Sequence, residues 1–421
     1  MSETNETGAT LSGVMERLIR YTKVPTPSDP ANEAEVPSNP EEHELARLLA
    51  QELRDLGVAD AEADEHAYVV GHVPASAGCE GQPCLGLIAH IDASPDAPAH
   101  DIHPQILTYE GGELVLGTVD GEEVTLNEAN TPELPEFLGK QLLVSDGSTL
   151  LAIDDKAGVA EIMELVARIA QDPSLPHPPL AVCFAPDEEI GHGCALLDLD
   201  KFGAAYAYTL DGDLIGGVEY ECFNAASATV TVHGHEIHPG SAKDIMVNSL
   251  HVFEEFDAML PAWQRPEHTD RYDGFFHLCD VNGTCVKTTA HYILRDHCAD
   301  ELEHKKQLML DAAELLNRRL GEQRVEVVIR DQYRNMAEMV KPHQHLVDNA
   351  YKAFEAVGVT AHTKPVRGGT DGAQLSFRGL PCPNLSTGGS NYHSVREYAV
   401  VEQVEKMVDF LQELCAIYAA R

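Results

Sequence analysis

The sequence predicts an α/β fold: a mixed, mostly parallel sheet with helices on both faces, interrupted by a two-layer α+β insert. Three observations predict it. Apolar strand-like runs alternate with amphipathic helical stretches over 41–211. Near Phe223 the texture changes to strand, helix, strand, long helix and strand, and after Tyr333 the first pattern resumes. A chain of 421 residues also exceeds what one hydrophobic core usually holds. The expected organisation is a discontinuous domain over 1–222 and 334–421 with an insert over 223–333.

Leu45, Leu48, Leu49, Leu53 and Leu56 recur at helical spacing, and Gly57 follows as a stop signal, so 41–56 is an amphipathic helix packed on something flat. Strands follow at 67–73 and 85–89. The segment 96–140, rich in Pro, Gly and acidic residues, reads as hairpins and loops. Val159, Ile162, Met163, Val166 and Ile169 form the stripe of a helix over 156–169, and strands follow at 180–185 and 205–210. In the insert, strands at 226–232, 286–294 and 325–330 surround helices at 248–259 and 299–320. A helix at 345–357, a Gly-rich turn at 367–372 and an amphipathic helix from Val401 complete the chain. In a doubly covered sheet, ligands bind beyond the carboxyl ends of the strands, and His90, Glu188, Glu189 and Asp211 all lie there.

Acidic residues number 69 against 29 Lys plus Arg, a formal net charge of −40. Nucleic acid and anionic membrane are therefore unsuitable partners, and the charge reads as a solvated acidic surface. Ten cysteines are scattered without zinc-ribbon or disulfide-scaffold spacing, which fits free thiols in a reducing compartment. The opening MSETNETGATLSGVMERLIRY lacks the basic start and apolar segment of a signal peptide, and no later stretch is apolar enough to span a bilayer. The expectation is a cytoplasmic enzyme.

Five stretches carry the chemistry. His90 and Asp92 are one residue apart, so in an extended segment they project to one side, and Asp92 is placed to accept the second imidazole N–H. Asp154-Asp155 ends an apolar run and opens a helix; the plainer reading is an N-cap, the functional one a carboxylate shared by two metals. Glu188-Glu189 ends a buried strand, where adjacent carboxylates repel unless cations are near. Extended neighbours point apart, so one can hold metal while the other takes a proton from water. Asp211, before Gly212, reads alone as a turn residue, and His393 follows a Gly-Gly turn with no periodicity to justify it. Together, in suitable positions of one α/β domain, they supply what a two-zinc hydrolase needs.

The segments SDGSTLLAIDDKAGVAEI, FAPDEEIGHG, AYTLDGD, HPGSAKDIMVNSL, HYILRD, RGGTDGAQLSFRGLPCPNLSTGG and NYHSVREY resemble the tripeptide aminopeptidases of the aminoacylase and carboxypeptidase-like dizinc metallopeptidase family. The resemblance runs in order from about Thr22 to the C-terminus, and RGGTDG and HPGSAKD are its most specific parts. It implies a zinc-dependent exopeptidase-type catalytic domain and two Zn2+ per subunit, other divalent metals being possible. His90, Asp154 and Asp211 would hold one ion and Asp154, Glu189 and His393 the other, with Asp154 bridging. Glu188 would be general base, Asp92 the partner of His90, and the Asp154–Asp155 peptide cis. The insert would serve as lid and dimerisation domain of a homodimer, its His238 entering the partner subunit's site to polarise the scissile carbonyl. Arg367 looks like a clamp for the peptide's C-terminal carboxylate, with Arg295 as second candidate and Lys243 and Asn248 assisting. Both arginines have the plainer reading of structural ion pairs, and His238 that of a turn histidine before Pro239. The substrates implied are short peptides, chiefly tripeptides. A dipeptidase, acylase or carboxypeptidase using the same metals is the alternative, and a non-catalytic peptide-binding protein the more distant one. The acidic run Glu219-Tyr220-Glu221 is the candidate reader of the substrate ammonium.

Overall fold

The computed structural model describes residues 11–420; residues 1–10, the start of the segment read above against a signal peptide, and residue 421 lie outside the described residues. Two compact units emerge: the chain to Tyr220 with Met339–Thr363 and everything from Thr370, and Glu221–Glu338 with Lys364–Gly369. The sequence reading assigned all of 334–421 to the first domain. Lys364–Gly369, which carries Arg367, groups with the second unit because Val366 bridges Cys222 and donates its N–H to the Glu221 carbonyl at 2.9 Å.

The first unit is built on a seven-stranded sheet, ordered Glu62–Ala63, Val69–Val73, Leu180–Ala185, Leu85–His90, Tyr206–Gly212, Asn384–Ser386, Val218–Glu219. The four strands from Leu180–Ala185 to Asn384–Ser386 run parallel, and the outer pairings are antiparallel. Leu85–His90 and Leu180–Ala185 are buried at every position, the continuous apolar pattern of parallel strands covered on both faces. Leu85, Leu87, Leu180, Val182 and Phe184 share a core with residues of helices Gly13–Thr22, Glu42–Asp55, Ile153–Gln171, His345–Ala356 and Val401–Ala419. Ile88, Ala181, Cys183 and Ala185 point the other way, onto Leu375 of the helix Asp371–Phe377 and onto Phe202. Gly158 lets Ile153–Gln171 lie directly against the Asp211 strand: a Cβ there would stand 2.2 Å from the Leu210 carbonyl oxygen.

The predicted elements of this unit form with shifted ends, and others appear. Gly13–Thr22 was not read as a helix, nor Asp371–Phe377, which begins inside the predicted Gly-rich turn. Within 96–140, Leu114–Val119 and Glu122–Leu126 pair as a hairpin. The ten cysteines are free thiols, and no helix among the described residues is long and apolar enough to cross a membrane.

The second unit is a two-layer α+β structure. Its antiparallel sheet, ordered Phe275–Gly283, Lys287–Asp296, Asn224–His233, Val325–Tyr333, carries helices Ser249–Met259 and Ala299–Leu320. Phe256, Met309 and Leu316 from the helices meet Ala228, Val230, Val232, Ala290 and Tyr292 from the strands.

One buried group in the first unit is at odds with its apolar surroundings. Glu161, on Ile153–Gln171, is 0% exposed, and neither carboxyl oxygen has a hydrogen-bond partner among the described residues. Burial, reinforced by Asp155, holds it well above the ordinary carboxyl value of 4.5. The folded state therefore binds this proton more tightly than the unfolded state, and stability falls as pH rises above the unfolded value. Glu161→Gln cannot titrate. Its melting temperature should gain on wild type between pH 5 and pH 8, by at most about 1.4 kcal/mol of stability per pH unit; an offset independent of pH would count against a buried, titrating Glu161.

Candidate metal centre

Sheet register assembles the first three groups. His90 pairs with Ala185, the last residue of the strand that leads to Glu188-Glu189, while Ile88 pairs with Thr209, so His90 and Asp211 end neighbouring strands at one level. Asp187, at φ 52°, turns the chain sharply into the short 3₁₀ turn Glu188–Ile190. Asp154 sits where Ile153–Gln171 has not yet settled into helix: Ala152 is left-handed at φ 59°, Asp154 and Asp155 are non-helical, and the peptide between them is cis. His393, also left-handed at φ 60°, lies on the turn between Gly389–Ser390 and Tyr398–Val400.

These turns bring the side chains together around Asp154. His90 Nε2 lies 3.0 Å from Asp154 Oδ1 and 3.6 Å from Asp211 Oδ1. His393 Nε2 lies 3.4 Å from Asp154 Oδ2 and 2.8 Å from Glu189 Oε2. The two imidazoles thus face different oxygens of one carboxylate. His90, Asp154 and Glu189 form one group whose donor atoms are close enough to share a metal ion, and His90, Asp155 and Asp211 form another. Asp155 was not read as a donor; its oxygens already accept the N–H groups of His90 (3.1 Å) and Gly158 (3.0 Å).

The electrostatics suit cations. Burial first, then neighbouring charge, holds Asp155, Glu188, Glu189 and Asp211 above the ordinary carboxyl range, although Glu188 keeps partial exposure. Burial also works against a charged Asp154, but His393 and His90 outweigh it and hold that group low. Asp154 and Glu189 in turn push His393 up to about 11. His90 is held well above its usual value by Asp92, Asp154 and Asp211 despite its burial. Protons on two imidazoles thus balance the crowded carboxylates, and divalent ions bound by neutral imidazoles balance them equally well. Imidazole nitrogen and carboxylate oxygen are suitable donors for zinc, and Glu189 Oε1 is buried without a hydrogen-bond partner among the described residues. The site fits the implied metal.

Surrounding residues hold the donors in place. Asp92, 0% exposed, accepts from His90 Nδ1 (3.1 Å), Glu188 N (3.0 Å), Glu189 N (3.1 Å) and the Ser28 hydroxyl, so it braces both the first imidazole and the Glu188-Glu189 turn. Asp96 and Asn384 are among the supporting residues that carry no clear sequence signal. Asp96 Oδ2 lies 3.0 Å from His393 Nδ1, as Asp92 does for His90, and its only signal was a carboxylate close after the His90 motif. Asn384 accepts from Asp211 N (3.0 Å) and donates to Asp211 O (2.8 Å) and Glu219 Oε2 (2.9 Å), from a position with no local signal.

The remaining predicted residues belong to the second unit, except Glu219 and Tyr220, which end the first stretch of the first unit. His238 is exposed and its Nδ1 accepts from Gly240 N at 3.1 Å, the turn contact anticipated as its plainer reading. Lys243 is exposed, and Asn248 caps the helix Ser249–Met259 through Leu250 N at 3.0 Å. Arg295 donates through Nη1 to Leu294 O and Gln332 Oε1, both at 3.0 Å, and stacks on Tyr333. Arg367 donates to Arg271 O (2.8 Å), Asp273 O (2.9 Å) and Thr269 Oγ1 (2.9 Å) with its guanidinium over Phe223. Neither arginine's described bonds are to carboxylates. In the run 219–221, Glu221 accepts from the Tyr272 hydroxyl at 2.6 Å and Glu219 from Asn384, so both carboxylates have partners.

The chain is 43% identical over 411 residues to Peptidase T of Alkaliphilus oremlandii, an alignment covering 97% of this chain and 100% of that one. In structure it is similar to the aminopeptidase PepT of Bacillus cereus, with a TM-score of 0.76 at 21% identity over 97% of this chain and 98% of that one. A tripeptidase of Staphylococcus aureus gives a TM-score of 0.76 at 18% identity with the same coverage. The profile of Peptidase family M20/M25/M40 matches residues 149–416, and with that match and the full-length likeness to Peptidase T, the chain belongs to this peptidase family.

Proposed function

We propose that this enzyme removes the N-terminal residue of tripeptides at two zinc ions, one held by His90, Asp154 and Asp211 and the other by Asp154, Glu189 and His393. The observation that carries the reading is the placement of His90 and His393 against opposite oxygens of Asp154, which suits a bridging carboxylate. Relatives named Peptidase T and a structural neighbour named a tripeptidase support the substrate class. The ions, when bound, would supply Lewis acidity and lower the pKa of the attacking water.

The chain's own residues do the rest. Glu188, tied through its backbone to Asp92, takes a proton from the attacking water on its carboxyl group and returns it to the leaving amine. Asp92 fixes the tautomer and tilt of His90, and Asp96 those of His393. Three of the five N–H groups of Arg367 are committed, leaving two for a carboxylate fork on the substrate's C-terminus. Arg295 is the second candidate for that contact, and Lys243 and Asn248 assist. The partner subunit's His238 polarises the scissile carbonyl. The second unit is the lid and dimerisation domain; its edge strand Val325–Tyr333 and the exposed Leu310, Leu315 and Val328 support a homodimer. Free thiols support a cytoplasmic location.

Mass spectrometry of a mixed di-, tri- and tetrapeptide panel tests the activity. Tripeptides should yield their free N-terminal residue and a dipeptide, with N-acetylated substrates untouched; release of the C-terminal residue overturns the assignment. Chelation should abolish turnover and Zn2+ restore it. Glu188→Ala should lower kcat by about 10²–10⁴-fold with metal content unchanged, measured by elemental analysis beside the assay; an active variant rules out Glu188 as base. Arg367→Lys should reduce kcat/KM for free tripeptides by roughly 10–100-fold and leave C-terminally amidated ones nearly unaffected. An equal loss on both substrates would mark Arg367 as purely structural.

A further inference from the structure

The loop that carries His393 returns to the core through Glu397, which is 1% exposed. Its carboxylate accepts three backbone amides: Oε2 from Leu151 and Ala152, both at 2.7 Å, and Oε1 from Asp154 at 3.0 Å. These amides lie where the helix ladder does not hold the chain, because Ala152 is left-handed and Asp154, at φ −81° and ψ 104°, is non-helical. Backbone N–H groups converging in such a turn make a concave anion site, and this chain fills its own.

We propose that Glu397 is the positioning residue of the metal centre, tying the backbone of the bridging Asp154 to the loop of His393 so that the two ligands keep a fixed separation. Asp154 must present one oxygen to each imidazole, at 3.0 and 3.4 Å, yet its flanking residues have no regular secondary structure to fix them. Glu397 supplies that constraint with three backbone hydrogen bonds converging on one buried carboxyl group. Its own end is held too: Glu397 N donates to Ser394 O at 3.1 Å, and the Ser394 hydroxyl donates to Asn391 O at 2.9 Å and accepts from Arg396 N at 3.0 Å. The turn wound by these bonds contains His393. A shift at Glu397 therefore moves both ligands. The inference rests on the proposed two-metal site.

Glu397→Gln keeps the volume but must turn an NH2 group toward at least one of the three amides. Glu402→Gln is the control, since Glu402 also accepts a backbone amide, that of Gln141, away from the centre. Zn2+ and Co2+ titrations should find two ions in wild type and in E402Q. In E397Q the second ion should bind roughly 10–100-fold more weakly, with loss of spin coupling between paired Co2+ ions. Wild-type affinity and coupling in E397Q would overturn the proposal, whereas fewer than two ions in wild type would overturn the metal-site reading beneath it. Amide exchange on wild type gives a readout even where E397Q does not fold. Leu151 and Ala152 should be protected with and without metal, and rapid exchange in the metal-free protein would show that Glu397 does not hold this turn.

Discussion

Negative charge crowded at the carboxyl ends of parallel strands is the constraint on which the first unit depends. Adjacent parallel strands end at one level, so His90, the Glu188-Glu189 turn and Asp211 meet there without any long-range adjustment. The helix Ile153–Gln171 brings Asp154 and Asp155 to the same edge at its N-terminus, where the aligned peptide dipoles favour anions. Gly158 allows that helix to touch the Asp211 strand, which a side chain would prevent. Isolated buried carboxylates are costly, so an arrangement that gathers them has to answer each one with a donor or a cation.

The carboxylates sort by what answers them. Asp92, Asp155 and Glu397 turn their oxygens to backbone amides and shape the turns that carry those amides. Asp154, Glu189 and Asp211 turn theirs to the imidazoles, the orientation from which the proposed metal ligation follows. Glu188 stands apart: the hydrogen bonds described for it are through its backbone, the N–H to Asp92 and the carbonyl from Gly191 N, and none involves its carboxyl group. The same residue type thus serves as scaffold, proposed ligand and proposed base. Its surroundings decide which.

What was legible in the sequence follows from the same division. The proposed ligands and base stand where apolar runs stop, so pattern and chemistry coincide at His90, Glu188, Glu189 and Asp211. Scaffold residues give no such signal. Glu397 meets amides 243–246 positions away in the chain, Asn384 meets Asp211 across 173 positions, and neither sits on a periodic stretch. The strand Phe275–Gly283 went unread because it is an edge strand with most positions exposed and no alternation to detect. The glycines of the 367–372 turn masked the helix Asp371–Phe377, whose buried Asp371 accepts from Cys194 N at 3.2 Å and so pins the loop after Glu189. Glu161 misleads in the other direction: it lies opposite the predicted apolar stripe, where a carboxylate reads as solvent-facing, and tertiary burial overrides that pattern.

Arg367 and Asp154 follow one physical rule despite opposite charge. A long cationic side chain loses rotamer entropy when it captures a ligand, and that cost is met in advance when the chain itself fixes the guanidinium. Arg367 has three N–H groups bound to the segment around Thr269–Asp273 and an aromatic face beneath it, so among the described residues two donors are left without a partner. Asp154 has its backbone amide bound by Glu397, so the backbone that carries its carboxylate is held as well. In each case the group proposed for recognition or metal binding stands on hydrogen bonds already made within the fold.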